Sequence, residues 1–338
     1  MGANLQASQL YDAATNTAIE WRQGELVLPN PFTLESGVSL HGARLAWQCV
    51  GPDDAPLIVV LGGISAHRRC CASDGRGWWQ SQCGAGRSLD SERYRLLSVD
   101  WLGGCDDSSG PRGNSEFPAI STSDQARALL WLLNRLGVRR VQLVVGASYG
   151  GAVAQHLAAL LGERLWRLVV LSAAHRSAQF ALAFRHVQRA ILDLGGDSPG
   201  ALALARSLAV LGYRTPQGIE QRFAQADPAQ PDPAADVVAW LKHHGERFVT
   251  RFDAAAYRVL SASLDAHHID PAAIRVPTTL FAVREDLNVP PSLLHEFATG
   301  IGAPCELIEI SSTFGHDAFL KEEAAVAALL GNALEDAA

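Results

Sequence analysis

The stretch Val141–Leu161, VQLVVGASYGGAVAQHLAALL, changes character at its middle. VQLVV is apolar, rich in β-branched residues and too short for a helix to stand alone, so it reads as a strand buried on both faces. Tyr149–Leu161 reads as a helix by composition and spacing. At the junction, Gly146-Ala147-Ser148-Tyr149-Gly150 forms a G-x-S-x-G pentapeptide, continued by Gly151. A serine on so sharp a strand-to-helix turn is held in strained torsions, and glycine two residues to either side avoids a clash. Amides at the helix N-terminus then point at whatever the serine attacks. Ser148 is therefore the candidate nucleophile.

Similar short apolar runs recur on both sides of this junction: Leu57–Leu61, Tyr94–Asp100, Leu168–Ser172, Thr278–Val283 and Glu306–Ile310. Helical stretches lie between several of them, among them Thr122–Leu136, with a capping region at Ser121–Ser123 and a stop at Gly137, and Glu322–Leu334. Strands alternating with helices predict an α/β fold with a mostly parallel sheet covered on both sides. Gly37–Val50 reads as a hairpin at an antiparallel start of that sheet. The alternation breaks between about Ala178 and Ala266. Ala181–Gly195, Ala201–Gly212 and Trp240–Leu264 read as helices there, with a polar, proline-dotted link at Ala226–Asp236. Such a block inserted in a parallel sheet predicts a lid over the strand C-termini, where open α/β sheets bind ligands. The expected division is a core over 1–177, a helical lid over 178–270 and the second part of the core over 271–338.

A serine hydroxyl needs a base, and the base needs an orienting acid; with a nucleophile elbow they follow in the order Ser, Asp or Glu, His. Asp286 follows the strand TTLFAV in the loop Arg284–Asn288, and its neighbour Glu285 is the alternative acid. Of the eleven histidines, His316 alone follows the final strand and precedes the last helix. His267 and His268 precede the penultimate strand, and His243 and His244 read as a solvated helix face. An oxyanion takes two backbone N–H donors. One is expected from Tyr149, after the nucleophile, and the other from Gly63 in the Gly62-Gly63-Ile64-Ser65 loop after LIVVL.

Composition narrows the partners. The 338 residues are 48% hydrophobic and 19% charged with a net charge of −7, which suits a well-packed globular protein and not a nucleic-acid binder. The first residues, MGANLQASQLYDAATN, lack the basic and apolar regions of a signal peptide, and no run of about 18 apolar residues suggests a membrane span. A cytoplasmic location is expected. Six cysteines are too few for a disulfide framework and none has zinc spacing, so no metal is expected.

Further stretches carry a resemblance: Gly77-Trp78-Trp79 with Gly84-Ala85-Gly86-Arg87; Leu102-Gly103-Gly104-Cys105 with Ser108-Ser109-Gly110-Pro111; Val187–Ile191; Phe248–Ala254; and Gly315-His316-Asp317-Ala318-Phe319-Leu320. With the elbow, they make the chain from about Leu57 onward similar to the homoserine O-acyltransferase family of α/β-hydrolase-fold enzymes. Tyr149 stands where acetyl-transferring members usually have Met, and this, with the loop Leu-Gly-Gly-Ile-Ser-Ala-His-Arg, looks more like the succinyl-transferring branch. The resemblance implies transfer of a succinyl group from succinyl-CoA to the hydroxyl of L-homoserine through an acyl-serine. An acetyl donor, a serine acceptor, or simple ester hydrolysis with the same triad are the alternatives. It also implies no bound cofactor beyond acyl-CoA as co-substrate, and a homodimer built through the lid helices. Two substrate contacts follow from it: Arg189 on the acceptor carboxylate and Asp317 on its ammonium. Otherwise Arg189 is a surface helix arginine and Asp317 an N-cap. A succinyl carboxylate would want Arg68 or Arg69 beside the oxyanion loop, unless both are merely solvated. Arg251 and Asp253 read as a structural pair, and Trp78 and Trp79 as core or cleft wall.

Overall fold

The apolar runs lie side by side in one nine-stranded sheet. The computed structural model of the chain describes residues 6–10 (backbone), 19–112, 117–224 and 234–335. Most of Met1–Asn16 and of the link at 226–236 falls outside the described residues. The strands of the large sheet are β1 (Gln6–Leu10), β2 (Ile19–Val27), β3 (Arg44–Val50), β4 (Leu57–Leu61), β5 (Arg95–Val99), β6 (Val141–Ala147), β7 (Leu165–Leu171), β8 (Thr278–Val283) and β9 (Cys305–Ile310). Their spatial order is β1-β2-β3-β5-β4-β6-β7-β8-β9. From β5 to β9 every pairing is parallel, while β1, β2 and β3 join antiparallel, β3 meeting β5 with Trp47 opposite Val99.

Side-chain alternation sends the strands' apolar residues into two layers. Val59, Leu61, Val144, Val170 and Leu280 pack with α1 (Thr122–Arg135) and α2 (Tyr149–Leu161) on one face. Ile58, Val60, Leu143, Val145, Val169 and Phe281 pack on the other face with Trp79 and with Val326, Leu329 and Leu330, which belong to the C-terminal helix Glu323–Glu335. Burial on both faces explains why β4 and β8 are apolar at nearly every position. Ser121 begins α1 with a capping box shared with Asp124.

Several readings change. The segment Gly37–Val50 is not a hairpin: Ser39–Leu40 pairs with Phe32–Thr33 in a separate ladder, and β3 pairs instead with β2. The sequence of β2, IEWRQGELV, mixes polar and apolar residues irregularly and has no apolar run to announce it. Strand β7 starts three residues before its apolar run, at Leu165, with Trp166 half exposed. Among its described residues the helical insertion between β7 and β8 has five α-helices: α3 (Gln179–Gly195), α4 (Pro199–Tyr213), α5 (Pro216–Phe223), α6 (Ala235–Val249) and α7 (Ala254–Asp265). The expected single helix over 240–264 is broken because Asp253 caps α7, its carboxylate accepting from the Ala256 amide at 2.7 Å. Asp253 is thus a cap, and Arg251 lines a separate polar cavity with Arg68 and Arg69. The remaining helices are α8 (Pro291–Gly300), a short turn α9 (Ala318–Lys321) and α10 (Glu323–Glu335).

The elbow is packed backbone against backbone. A Cβ at Gly150 would stand 2.4 Å from the Leu61 carbonyl and 2.5 Å from the Gly62 oxygen. Gly150→Ala is expected to cost about 2–3 kcal/mol, seen as a lower urea midpoint at unchanged slope. Gly331, with nothing within 4 Å of its own Cβ position inside α10, is the control. Gly331→Ala is expected to stabilise by about 0.5–1 kcal/mol.

Candidate active site

Because the strands from β5 to β9 run the same way, the loops after β4, β6, β8 and β9 gather at one edge of the sheet. Ser148 leaves β6 with φ 53° and ψ −120°, a left-handed conformation that a side chain adopts only under constraint. Its amide donates to the Leu171 carbonyl at 2.9 Å and its carbonyl accepts from Ala152 at 3.1 Å, so neighbouring structure holds the strain. Gly146 and Gly150 are glycines for a steric reason: a Cβ at Gly146 would lie 2.3 Å from the Gly150 oxygen.

The loops bring Ser148, His316 and Asp286 together. His316 Nε2 is 2.9 Å from Ser148 Oγ, and its Nδ1 is 2.7 Å from Asp286 Oδ2. The other Asp286 oxygen accepts the amides of Asn288 at 2.8 Å and Val289 at 3.0 Å, which fixes the carboxylate behind the ring. Glu285 faces elsewhere; it accepts from the Ser311 hydroxyl and from the Ser312 amide at 2.8 Å. Both Asp286 and His316 are buried. Burial alone disfavours the imidazolium, but the charge and hydrogen bond of Asp286 outweigh it, with Asp317 adding and Arg185 opposing. The His316 pKa is raised above its ordinary 6.5.

At the expected oxyanion donors, Tyr149 is the first residue of α2, where amides have no partner within the helix. The Gly63 carbonyl is held by two donors, the Trp101 indole at 3.1 Å and the Ala66 amide at 2.9 Å. Beyond its Cα there is open space, whereas Gly62 has Ala66 and Trp78 within 3 Å of a Cβ. Trp78 and Trp79 stack at 5.4 Å; Trp78 donates to the His67 carbonyl and Trp79 to the Phe319 carbonyl, so the pair braces the oxyanion loop against the turn after His316.

Ser148 and His316 open onto a chamber whose wall includes Ile64, Arg176, Arg185, Gln188, Tyr213, Tyr257, Ser261, His267 and Asn288. Arg189 is not among the lining side chains: it binds Ser261 at 2.7 Å and Asp265. Asp317 bonds Arg214 at 3.0 Å and stands at the start of α9 without capping it. Arg68 is held by Asp100 and, at 2.5 Å, by Asp107, and with Arg69 it lines the separate polar cavity, not the chamber. His267 does line the chamber, yet its ring nitrogens are taken by Thr122 at 2.9 Å and the Ala174 carbonyl at 3.1 Å, and burial pushes its pKa down to about 3. His244 is half-buried against Trp240, not solvated.

Arg185 is the cation missed in the sequence. It lies on α3 one turn before Arg189, so the two share a helix face, and both grip the single carboxylate of Asp265. Two guanidiniums on one carboxylate leave a positive charge beside the nucleophile, with the Arg185 side chain only 12% exposed. Among the described residues no cluster of three or more His, Cys, Asp or Glu side chains is placed to hold a metal, and no helix is long and apolar enough to cross a membrane.

A family model described as alpha/beta hydrolase fold matches residues 56–323. The homoserine O-succinyltransferase of Xanthomonas campestris pv. campestris is 40% identical over 331 residues, covering 95% of this chain and 86% of that protein. The chain belongs to the homoserine O-acyltransferase family of the α/β-hydrolase fold. Within the family, the homoserine O-acetyltransferase of Thermus thermophilus is 36% identical over 271 residues, 73% of this chain and 69% of that one. The crystal structure of homoserine O-acetyltransferase from Staphylococcus aureus superposes with a TM-score of 0.79 at 26% identity, covering 92% of this chain and 94% of that one.

The raised pKa is open to direct measurement. By NMR, His316 is expected to titrate above 6.5. Asp286→Asn removes the charge that favours the cation and is expected to bring the value below that of the parent. An unchanged titration in the variant would contradict the charge argument.

Proposed function

We propose that this acyltransferase moves a succinyl group from succinyl-CoA to the hydroxyl of L-homoserine through an acyl-Ser148 intermediate. The observation that carries the reading is the hydrogen-bonded relay Ser148–His316–Asp286 opening onto a chamber that holds an uncompensated cation. His316 Nε2 takes the Ser148 proton as Oγ attacks the thioester carbonyl. The tetrahedral oxyanion is met by the Tyr149 and Gly63 amides. Its collapse breaks the C–S bond, and the thiol of coenzyme A leaves with the proton from His316. The acceptor hydroxyl then gives its proton to the same nitrogen, attacks the acyl ester and releases O-succinylhomoserine, while Ser148 regains the proton. Asp286 holds the imidazole and stabilises the cation formed in each half.

Both substrates carry a carboxylate, and Arg185 is the chamber cation we assign to a substrate carboxylate, in place of Arg189. Arg176, the other lining arginine, is offset by Glu296 at 2.8 Å. Asp317 acts on His316 through its charge. We take residues 178–270 as a lid that keeps water from the acyl-enzyme. The six free cysteines fit a reducing, cytoplasmic setting. A homodimer is supported by α3, which exposes Phe180 at 50%, Val187 at 48% and Leu194 at 91%, seven residues apart along one face.

A thioester panel tests the activity. Succinyl-CoA with homoserine is expected to give the highest kcat/KM, with ping-pong kinetics and a Ser148 adduct detected by mass. Ser148→Ala is expected to lose at least about 10⁴-fold, and Arg185→Gln to raise the KM of a carboxylate-bearing substrate about tenfold or more. Thioester turnover indifferent to the amino acid would mark a hydrolase instead. For the assembly, Val187→Glu with Leu194→Glu is expected to convert a dimer to a monomer in sedimentation at micromolar protein.

A further inference from the structure

The side chain of Tyr149 points away from the chemistry that its backbone serves. It is fully buried, and its hydroxyl is 2.9 Å from Ser263 Oγ on α7 and accepts from Gln125 Nε2 on α1 at 3.2 Å. Gln125 is itself fixed by two bonds to the Leu102 backbone. The Tyr149 ring stands edge-on to Trp101, centroids 5.0 Å apart at 81°, and Trp101 is the indole that holds the Gly63 carbonyl. One buried cluster thus joins the residue after the nucleophile, the oxyanion loop and the insertion.

Helix α7 is the element this cluster holds. Tyr257, Ser261 and Leu264, spaced four and three residues apart, line the chamber, while Ser263 is buried against the core. Ser261 binds Arg189, and Asp265 at the end of α7 binds both Arg189 and Arg185. The roof of the chamber therefore sits on a helix that is hydrogen-bonded to the elbow and that holds the α3 cation Arg185 through Asp265. Burial pushes the phenol up to about 12, so Tyr149 keeps its proton at every working pH.

We propose that the Tyr149 side chain is a positioning residue that pins α7 to the nucleophile elbow and thereby sets how much of the acyl-enzyme goes to the amino-acid hydroxyl and how much to water. The inference rests on the acyl-transfer reading above. A triad alone does not separate transfer from hydrolysis; the fit of the chamber around the acyl-serine does. A buried polar group left without its partner loosens its surroundings, and α7 displaced from the elbow admits water where the acceptor belongs.

The measured quantity is the partition ratio, O-acylhomoserine formed against acyl-CoA hydrolysed, at saturating homoserine. Tyr149→Phe keeps the ring on Trp101 and removes only the hydroxyl; the ratio is expected to fall about tenfold. Ser263→Ala, the milder change at the other end of the bond, is expected to match it, and the double variant to add nothing, as for two halves of one interaction. A merely structural role would lower transfer and hydrolysis together and leave the ratio where it was. That result, or additive losses in the double variant, overturns the proposal. A parent enzyme that acylates no amino-acid hydroxyl overturns the function reading itself, a failure visible before any variant is made.

Discussion

The left-handed backbone of Ser148 is the constraint on which the rest depends. A side chain held at φ 53° persists only where the surroundings leave it no alternative. Here they are the tight backbone contact of Gly150 on Leu61 and Gly62, the fit of Gly146 against Gly150, and the amide bond from Ser148 to β7. The same contacts that force the torsion also bring β4 and its oxyanion loop against the start of α2. Position of the nucleophile and position of the loop expected to meet the oxyanion are one packing event, not two.

Charge in the insertion follows a similar economy. Asp265 could neutralise one arginine; it holds two. A net positive charge in a half-buried place is unfavourable unless something completes it. Its cost is lowered by hydrogen bonds to Ser177 and Ser261, which satisfy guanidinium donors without supplying a second negative charge. Arg185 also opposes protonation of His316, and a bound carboxylate would cancel part of that opposition. Binding of an anionic substrate and the basicity of the histidine are in this way electrostatically linked.

How far this was legible in the sequence depends on the range of the forces involved. Ser148, Asp286 and His316 stand out because each follows an apolar strand, and parallel strands carry their following loops to one edge whatever the details. The choice of Asp286 over Glu285 is decided by the fold: Asn288 and Val289 turn their amides back on Asp286, while Glu285 is taken by Ser311 and Ser312. Arg185 was not legible. Arg185 and Arg189 are one turn apart on the same face, and which of them meets the chamber is decided by how α3 packs on α7, a tertiary fact. Strand β2 was hidden for a different reason, since IEWRQGELV shows neither an apolar run nor a strict alternation to betray it.

What the triad geometry leaves undetermined, the attachment of the insertion supplies. Three of the hydrogen bonds that tie it to the core reach the chain beside Asp286, His316 and Ser148. Asn288, two residues past Asp286, donates to the Gly212 carbonyl at the end of α4 at 2.8 Å. Thr215, at the start of α5, donates to the Thr313 carbonyl in the His316 loop at 2.7 Å. Ser263 of α7 meets Tyr149 beside Ser148. Each bond contributes only about 1 kcal/mol. Their placement matters more than their strength: a movement of the helices that opened the chamber to water would have to break a contact to the acid, the base or the nucleophile. Closure of the chamber and the Ser148–His316–Asp286 geometry are thus coupled through the same few groups, which is the physical arrangement the proposed acyl-Ser148 intermediate would need to wait for an alcohol in the presence of water.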